Sequence, residues 1–327
     1  MPLSYDPDYF KSWGPKLALI AGVPKPALHD IAARRAGFDG SIHAMWSSLP
    51  DSPGVETAVH QIDTHDGTRI SVYSFIPKKS ANGESAGAGP GPAILHCHGG
   101  GMILGSVELF KKALAIEAGM VDMSIFSVEY RLAPEAKDTS LVQDCYAGLV
   151  WLIENAKQFN VDPARIAIMG ESAGGGIAAG VALMARDKNL QPPLAKQVLT
   201  YPMLDDRNLT PDPALVPFAV WTYEDNITAW TALLGDKAGK EDADVSYYAA
   251  PARAKSLAGL PPTYLLVGDL DIFRDEVLEY ARRLAKENIN LELHVFPGVP
   301  HGFDLWCPET VAAQTALALR HRALHGV

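Results

Sequence analysis

Residues 170–174 read GESAG and match the pattern Gly-x-Ser-x-Gly. They follow an apolar run at 165–169 and open a stretch rich in alanine and glycine, so Ser172 would lie at a sharp turn between a strand and a helix. Small neighbours permit that turn and leave the hydroxyl accessible. A serine in this setting performs acyl transfer when a base removes its proton, and we predict Ser172 as the nucleophile.

A second GESAG lies at residues 83–87. It falls within the segment 78–92, which reads KKSANGESAGAGPGP. That composition predicts a flexible loop or linker, and no strand pattern precedes this serine. We therefore interpret the second copy as a chance match.

The base that activates the serine is sought late in the chain, because in strand–turn–helix sites of this kind the acid and then the histidine follow the serine. His301 lies in the sequence PHGF, directly after a predicted strand at residues 291–296. His294 falls inside that strand, and the two last histidines belong to a predicted terminal helix. His301 is therefore predicted as the base.

The carboxylate that orients the histidine is expected after the preceding strand. The segment GDLDIFRDE at residues 268–276 offers four carboxylates, of which the last two are expected on the helix that follows. Asp271 is the favoured partner of the histidine. Asp269, at the end of the strand, is the alternative.

An acyl-transfer site also needs backbone N–H groups aimed at the developing oxyanion. The sequence HGGG at residues 98–101 follows a predicted strand at 93–97, and glycines there allow the backbone to approach a substrate carbonyl closely. We predict the N–H groups of Gly100, Gly101 and Ala173 as the donors. A phosphate-binding glycine loop is the alternative reading, but no Lys-Ser or Lys-Thr pair follows.

Strands and helices alternate through most of the chain. Two strand patterns flank Asp66-Gly67, which indicates a hairpin, and from residue 93 strands alternate with helical segments. Such alternation predicts an α/β fold with a mostly parallel central sheet and helices on both faces. The alternation is interrupted at residues 205–250, which we interpret as an insertion, while residues 1–50 are helical in character.

Composition limits the classes of partner and the compartment. The 327 residues carry a net charge of −10, which disfavours nucleic acid and anionic membrane as partners because phosphate binding needs clustered cations. No apolar run approaches the ~18 residues of a membrane span. Three cysteines without metal-ligand spacing predict neither a disulfide framework nor a metal site, and we expect a cytoplasmic protein.

Together, these motifs resemble the hormone-sensitive-lipase-like, or family IV, serine esterases of the α/β-hydrolase fold. The motifs that carry the resemblance are HGGG at 98–101, YRLAPE at 130–135, GESAG at 170–174, YPM at 201–203, Asp271 in the pattern Asp-x-x-Arg-Asp-Glu, and HGF at 301–303. The chain departs from the family after YRLAPE, where it reads AKDTS instead of the usual aromatic residue followed by Pro-Ala.

The resemblance implies a carboxylic ester hydrolase that uses the serine, acid and histidine predicted above as its triad, with no metal or cofactor. It also implies a helical cap made of residues 1–50 and 205–250, over a catalytic core made of residues 51–204 and 251–327. Small-molecule esters with short-to-medium acyl chains are the implied substrates, and a homodimer is compatible with the family.

Substrate choice would depend on the cap and on the walls of the pocket. As candidates for the lining we predict Met102, Trp46, Phe218, Trp221 and Tyr223. Ordinary packing in the core or the cap is an equally weighted alternative for each of them. Aromatic and apolar walls favour acyl or alkyl groups over charged ones.

Other activities stay open at this point. The same triad could act on a lactone or a secondary-metabolite ester, or transfer acyl groups to an alcohol. A serine peptidase is disfavoured, because peptidases of this fold generally carry a large extra domain for which the chain leaves little room. A non-catalytic small-molecule receptor on the same fold is a further alternative, and the intact His301 argues against it.

Overall fold

The computed structural model describes residues 2–20, 22–78 and 89–327. The second GESAG, and most of the segment predicted as a loop or linker, lie outside the described residues. The strands of the described part are β1 (Val55–Asp63), β2 (Arg69–Pro77), β3 (Gly91–Cys97), β4 (Ser124–Glu129), β5 (Val161–Glu171), β6 (Lys196–Thr200), β7 (Thr263–Gly268) and β8 (Leu291–Phe296). Its α-helices are α1 (Pro7–Ile20), α2 (Ile31–Trp46), α3 (Val107–Val121), α4 (Ser140–Glu154), α5 (Ala173–Asp187), α6 (Tyr223–Leu234), α7 (Arg274–Lys286), α8 (Phe303–Trp306) and α9 (Val311–His325).

These eight strands form one sheet in the order β1-β2-β4-β3-β5-β6-β7-β8. β1 pairs with β2, and β2 with β4, in antiparallel fashion, whereas the other neighbours run parallel. The predicted hairpin is confirmed: Ile62 faces Ile70, and Gly67 in the turn between them has a φ of 78°. The prediction of an α/β fold with a mostly parallel sheet is confirmed as well.

The strand predicted at residues 165–169 is longer than expected, because β5 begins at Val161. Val161 pairs with Gly91 at the start of β3, the register is irregular from there to Ile166, and the residues between are partly or fully exposed. No apolar run therefore marks them in the sequence.

Within the three described ranges, no helix is both long enough and apolar enough to traverse a bilayer.

The centre of the sheet is buried, and α5 packs against it unusually closely. All six residues of β7 are buried, as are 13 of the 15 residues of α5. The helix reads AGGGIAAGVALMARD, and its small residues let it approach the sheet. A methyl group on Gly174 would overlap the carbonyl oxygens of Cys97 and His98, just after β3, so this position accepts no side chain.

The sheet brings the residues singled out in the sequence to one edge, because the carboxyl ends of parallel strands point the same way. The loops after β3, β5, β7 and β8 carry, in that order, residues 98–101, Ser172, Asp271 and His301. Residues that are up to about 200 positions apart in the chain are thereby neighbours in the fold.

The N-terminal helices and the segment 205–250 contact each other directly. Nε of Arg34, on α2, donates to Asp225 at the start of α6 over 2.8 Å. The backbone N–H of His29 donates to Thr228 Oγ1 over 3.1 Å. Since α2 also packs on α3 through aromatic rings, the two segments are fastened both to each other and to the rest of the chain.

Gly174 in α5 is tightly enclosed and Gly40 in α2 is not, so alanine should have opposite effects on stability at these two positions. Gly174→Ala should lower the free energy of unfolding by about 3 kcal/mol or more, because the clashing atoms are backbone on both sides. Gly40→Ala, in the exposed interior of α2 where a methyl group would meet nothing within 4 Å, should raise it by up to about 1 kcal/mol. Urea unfolding of both variants checks this, and a Gly174→Ala protein as stable as the unsubstituted chain would contradict the packing argument.

Candidate active site

Ser172 occupies a strained turn between β5 and α5. Its φ is 57° and its ψ is −123°, a backbone conformation that costs free energy for a residue with a side chain. The end of β6 and the segment after it hold the turn in place: the Ser172 N–H donates to the Thr200 carbonyl over 2.9 Å, and the Ser172 carbonyl accepts from the Met203 N–H over 3.0 Å. The turn expected for GESAG at residues 170–174 is therefore present.

Three of the predicted site residues form one chain of hydrogen bonds. His301 Nε2 lies 2.8 Å from Ser172 Oγ, and His301 Nδ1 lies 2.7 Å from Asp271 Oδ2. The other oxygen of Asp271 accepts from the Phe273 N–H over 2.9 Å, which fixes the carboxylate. All three side chains are buried, so water does not compete strongly for these bonds.

Asp269, the alternative acid, points elsewhere. Its Oδ1 accepts from the Gly298 N–H over 2.6 Å, and burial raises the pKa of its carboxyl above the ordinary value. The structure thus brings Asp271, and not Asp269, within hydrogen-bonding distance of the histidine. The other two carboxylates of the segment lie on α7, as expected.

Aromatic rings confine the imidazole of His301. The ring of Phe273 meets it edge-on at 5.0 Å between centroids, and the ring of Tyr201 does so at 4.8 Å. The Tyr201 hydroxyl donates to Asp304 over 2.7 Å and is held in turn. The imidazole therefore keeps one orientation between Ser172 and Asp271.

The three predicted oxyanion donors lie around the serine. Gly99 lies against the Ser172 side chain. Gly100 and Gly101, with φ values of 125° and 58°, line the same cavity as the serine. In the described part of the chain, no acceptor faces the N–H of either residue. Ala173 is the first residue of α5, so its N–H has no partner within the helix.

His98 supports this loop rather than a metal. Its Nδ1 donates to the Gly99 carbonyl over 2.8 Å, and its ring stacks on Tyr130 with 4.2 Å between centroids. Burial lowers the pKa of its imidazole to about 3, so the ring is neutral. Among the residues that the structure describes, no group of three or more His, Cys, Asp or Glu side chains is arranged to hold a metal ion.

A cavity of about 790 Å³ opens over Ser172 and His301. Much of its wall is aromatic or apolar, and includes Phe38, Trp46, Leu49, Phe110, Trp221 and Trp306. Two of the five predicted lining residues, Trp46 and Trp221, are thus in the wall.

The other three predicted lining residues are not part of this wall in the described chain. Met102 and Tyr223 are packed in the core, with 3% and 4% of their surface exposed. Phe218 lies edge-on against Tyr5, 5.1 Å between ring centroids. For these three the alternative of ordinary packing describes the observed environment.

A cluster of buried charges forms another part of the cavity wall, and the sequence analysis missed it. Arg320 of α9 binds Glu117 of α3 through two hydrogen bonds of 2.8 and 3.1 Å, and it lies 3.5 Å from Asp304. Burial alone would raise the pKa of Glu117, but Arg320 and His321 outweigh it and hold the pKa at about 2. The sequence does contain one indication of this cluster, because the charged Glu117 interrupts the buried face of α3 between Leu114 and Val121.

A second pair of interacting side chains adjoins Ser172. Glu171 accepts from His96 Nε2 over 2.9 Å, and His96 Nδ1 lies 2.8 Å from Ser127 Oγ. Both Glu171 and His96 are in the cavity wall. The residue that precedes the serine is therefore held by a side chain from β3.

Residues 94–305 match a family described as "alpha/beta hydrolase fold". The chain belongs to this family. It is 36% identical over 325 residues to the esterase LipI of Mycobacterium tuberculosis, which covers 92% of this chain and 97% of that protein. It is 34% identical to the carboxylesterase NlhH of the same organism, over 72% of this chain and 74% of that protein.

Among solved structures, a bacterial heroin esterase is similar over 98% of this chain and 97% of its own, with a TM-score of 0.87 and 37% sequence identity. An esterase from Pyrobaculum calidifontis has a TM-score of 0.82 at 28% identity, over 99% and 98% of the two chains. The resemblance to the hormone-sensitive-lipase-like esterases is thus confirmed, and this α/β hydrolase is a carboxylic ester hydrolase.

The buried Glu117–Arg320 pair predicts a specific loss of stability in acid. Because the pKa of Glu117 is about 2 when folded and 4.5 ordinarily, its stabilisation is present above pH 4.5 and disappears as the pH falls towards 2. Between pH 5 and pH 2 the unsubstituted hydrolase should lose about 3 kcal/mol more unfolding free energy than Glu117→Gln.

Urea unfolding across this pH range measures the difference. Glu108→Gln is the matched control, since Glu108 lies on the same helix but pairs with Lys111 at the surface. Parallel pH profiles for Glu117→Gln and the unsubstituted chain would contradict the assignment of the low pKa.

Proposed function

We propose that this hydrolase cleaves esters with short-to-medium acyl chains through an acyl-enzyme on Ser172. The observation that carries the proposal is the unbroken chain of hydrogen bonds from Ser172 through His301 to Asp271, at the wall of a cavity large enough for a small ester. The family membership agrees with it, since acyl transfer on a serine needs these three groups in this order.

In the first half of the reaction, Ser172 Oγ attacks the ester carbonyl carbon while His301 Nε2 takes the hydroxyl proton. A bond forms between Oγ and carbon, and the carbonyl electron pair moves to oxygen. When the tetrahedral intermediate collapses, the bond to the alcohol oxygen breaks, and His301 returns the proton to the leaving alcohol. The acyl group stays on Ser172.

In the second half, water replaces the alcohol. His301 takes a proton from the water as it attacks the acyl carbon, and the Ser172 oxygen then leaves with that proton. The carboxylic acid departs and the serine is restored. Asp271 holds the imidazole in the tautomer with hydrogen on Nδ1 and stabilises the imidazolium formed in each half.

The oxyanion of both intermediates would bind the N–H groups of Gly100, Gly101 and Ala173. Such donors act in a site where water is largely excluded, and each is typically worth about 3–4 kcal/mol of transition-state stabilisation. The assignment is supported by Gly100 and Gly101, which line the same cavity as Ser172 and whose N–H groups donate to no acceptor among the described residues.

Residues 1–50 and 205–250 would form the cap, and residues 51–204 and 251–327 the catalytic core. Support comes from Trp46 of the first segment and Trp221 of the second, which both line the cavity. Aromatic walls favour an apolar acyl or alkyl group. The proposed mechanism uses no metal or cofactor.

We also place the enzyme in the cytoplasm, because Cys97, Cys145 and Cys307 are buried and form no disulfide. A homodimer stays a prediction from the resemblance. Lactones, secondary-metabolite esters or acyl transfer to an added alcohol would use the same groups, and product analysis with these substrates separates them from simple ester hydrolysis.

The proposed nucleophile and the acyl-chain preference can be tested in one set of assays. Hydrolysis of p-nitrophenyl esters from acetate to dodecanoate should peak at short or medium chains, and Ser172→Ala should lower kcat by about 10⁴-fold or more at every length. A fluorophosphonate probe should label the unsubstituted enzyme and not the variant. Retained turnover or labelling in a folded Ser172→Ala protein would overturn the proposal.

Asparagine substitutions distinguish the two candidate acids. Asp271→Asn should lower kcat by about 10⁴-fold, because an amide favours the wrong imidazole tautomer. Asp269→Asn, two residues away, should stay within about 3-fold, since its amide oxygen can still accept from Gly298. Equal losses in the two variants would mean that the geometry misidentifies the acid.

A further inference from the structure

Helix α2 carries two adjacent arginines that reach into different parts of the site. Arg34 binds the segment 205–250, and Arg35 binds the loop that holds the proposed oxyanion donors. We propose that Arg35 is a positioning residue for this oxyanion loop, residues 100–104, so that the N-terminal segment contributes to transition-state binding through the loop. The inference rests on the proposed function of Gly100 and Gly101.

Arg35 uses its whole guanidinium to join three points of the core. Its Nε donates to the Ile103 carbonyl over 2.8 Å, and its Nη2 donates to the Ala133 carbonyl over 3.0 Å. The same Nη2, together with Nη1, binds both carboxylate oxygens of Glu135 at 2.7 Å. Only a planar fork of donors can make this set of contacts at once.

The oxyanion loop needs such support because its backbone is strained. Gly100, Gly101 and Met102 follow one another with φ values of 125°, 58° and 65°, and the last of them carries a side chain. One anchor is internal to the core: the Ala133 N–H donates to the Met102 carbonyl over 2.9 Å. Arg35 supplies the second, since it ties the carbonyls of Ile103 and Ala133 to the same guanidinium.

The ion pair between Arg35 and Glu135 is too exposed to add much to the free energy of unfolding. The side chains of Arg35 and Glu135 are 32% and 61% exposed, and such surface pairs add little to stability. The hydrogen bonds from Arg35 nonetheless hold the pKa of Glu135 at about 2. The carboxylate therefore keeps its charge and orients the fork towards the two carbonyls, which is a geometric role.

Arg34 offers a contrast on the same helix. Its partner Asp225 closes a capping box with Thr222, and the preceding residue, Trp221, covers Gly101 so closely that a methyl group there would overlap the indole. Arg34 thus fixes the cavity wall above the loop, while Arg35 fixes the loop itself. Their substitutions should have different kinetic signatures.

The test is the steady-state hydrolysis of p-nitrophenyl butyrate by Arg35→Gln and Arg35→Lys. For Arg35→Gln, kcat should fall about 10- to 100-fold with KM within 3-fold, because only transition-state contacts are misplaced. Inhibition by butylboronic acid, whose serine adduct resembles the tetrahedral intermediate, should weaken by a similar factor. Arg35→Lys should lose about 3- to 10-fold, since one ammonium cannot serve both carbonyls and Glu135.

Two further variants serve as controls. Arg282→Gln removes an equivalent exposed ion pair on α7 and should leave kcat and KM unchanged. Arg34→Met should raise KM while kcat changes less than 3-fold. Should Arg34→Met lower kcat as much as Arg35→Gln, the effect would come from a displaced helix and the assignment to Arg35 would be wrong.

The assays distinguish failure of the inference about Arg35 from failure of the proposed function. Ser172→Ala is assayed in parallel: if it is inactive while Arg35→Gln keeps full kcat and boronate affinity, the inference about Arg35 alone is overturned. If Ser172→Ala is active, the proposed mechanism itself fails. Should Arg35→Gln not fold, Arg35→Lys decides, because it keeps the positive charge beside Glu135, and an unchanged kcat there overturns the inference.

Discussion

The site depends on a close backbone contact between the turn that carries Ser172 and the chain at the end of β3. The turn that carries Ser172 lies against the end of β3, where Gly174 leaves no room for a side chain beside the Cys97 carbonyl. Gly170 meets the same turn from the strand side, and a methyl group there would overlap the Gly174 carbonyl. Because the contact is made by main chain on both sides, side-chain rotation cannot relax it. The distance between the serine and the glycine loop after β3 is therefore fixed before any substrate binds, as the proposed oxyanion stabilisation requires.

Several polar side chains near this contact are paired, and the pairing gives them fixed orientations. Asp271 divides its two oxygens between His301 and the Phe273 N–H, so neither is left without a donor. Farther along the cavity, Arg320 and Glu117 satisfy each other. A buried ion pair adds little net stability over an apolar pair, but breaking it leaves an uncompensated charge, so the arrangement persists as a unit. The cavity consequently combines apolar walls with a rigid charged region.

Much of the site could be located from the sequence, and the reason is the parallel sheet. Ser172, Asp271 and His301 each follow a strand with a recognisable apolar pattern, and strand ends meet at one edge. The choice between Asp271 and Asp269 could not be decided in this way, because it depends on which carboxylate turns towards Gly298. Arg320 and Glu117 were missed for another reason: they are 203 residues apart, and no local pattern joins them.

Wall residues were the least predictable part, because aromatic composition does not say which way a ring points. Trp46 and Trp221 face the cavity, while Tyr223, two positions from Trp221, is buried in the core. The two halves of the proposed catalytic apparatus also differ in how they are held. Main-chain hydrogen bonds to the end of β6 and to Met203 support the turn at Ser172, whereas the proposed oxyanion loop is also bound by a side chain from α2. A side-chain anchor can change by single substitution without disturbing the sheet. If Arg35 positions this loop as proposed, variation in the first fifty residues adjusts transition-state binding while Ser172 stays in place.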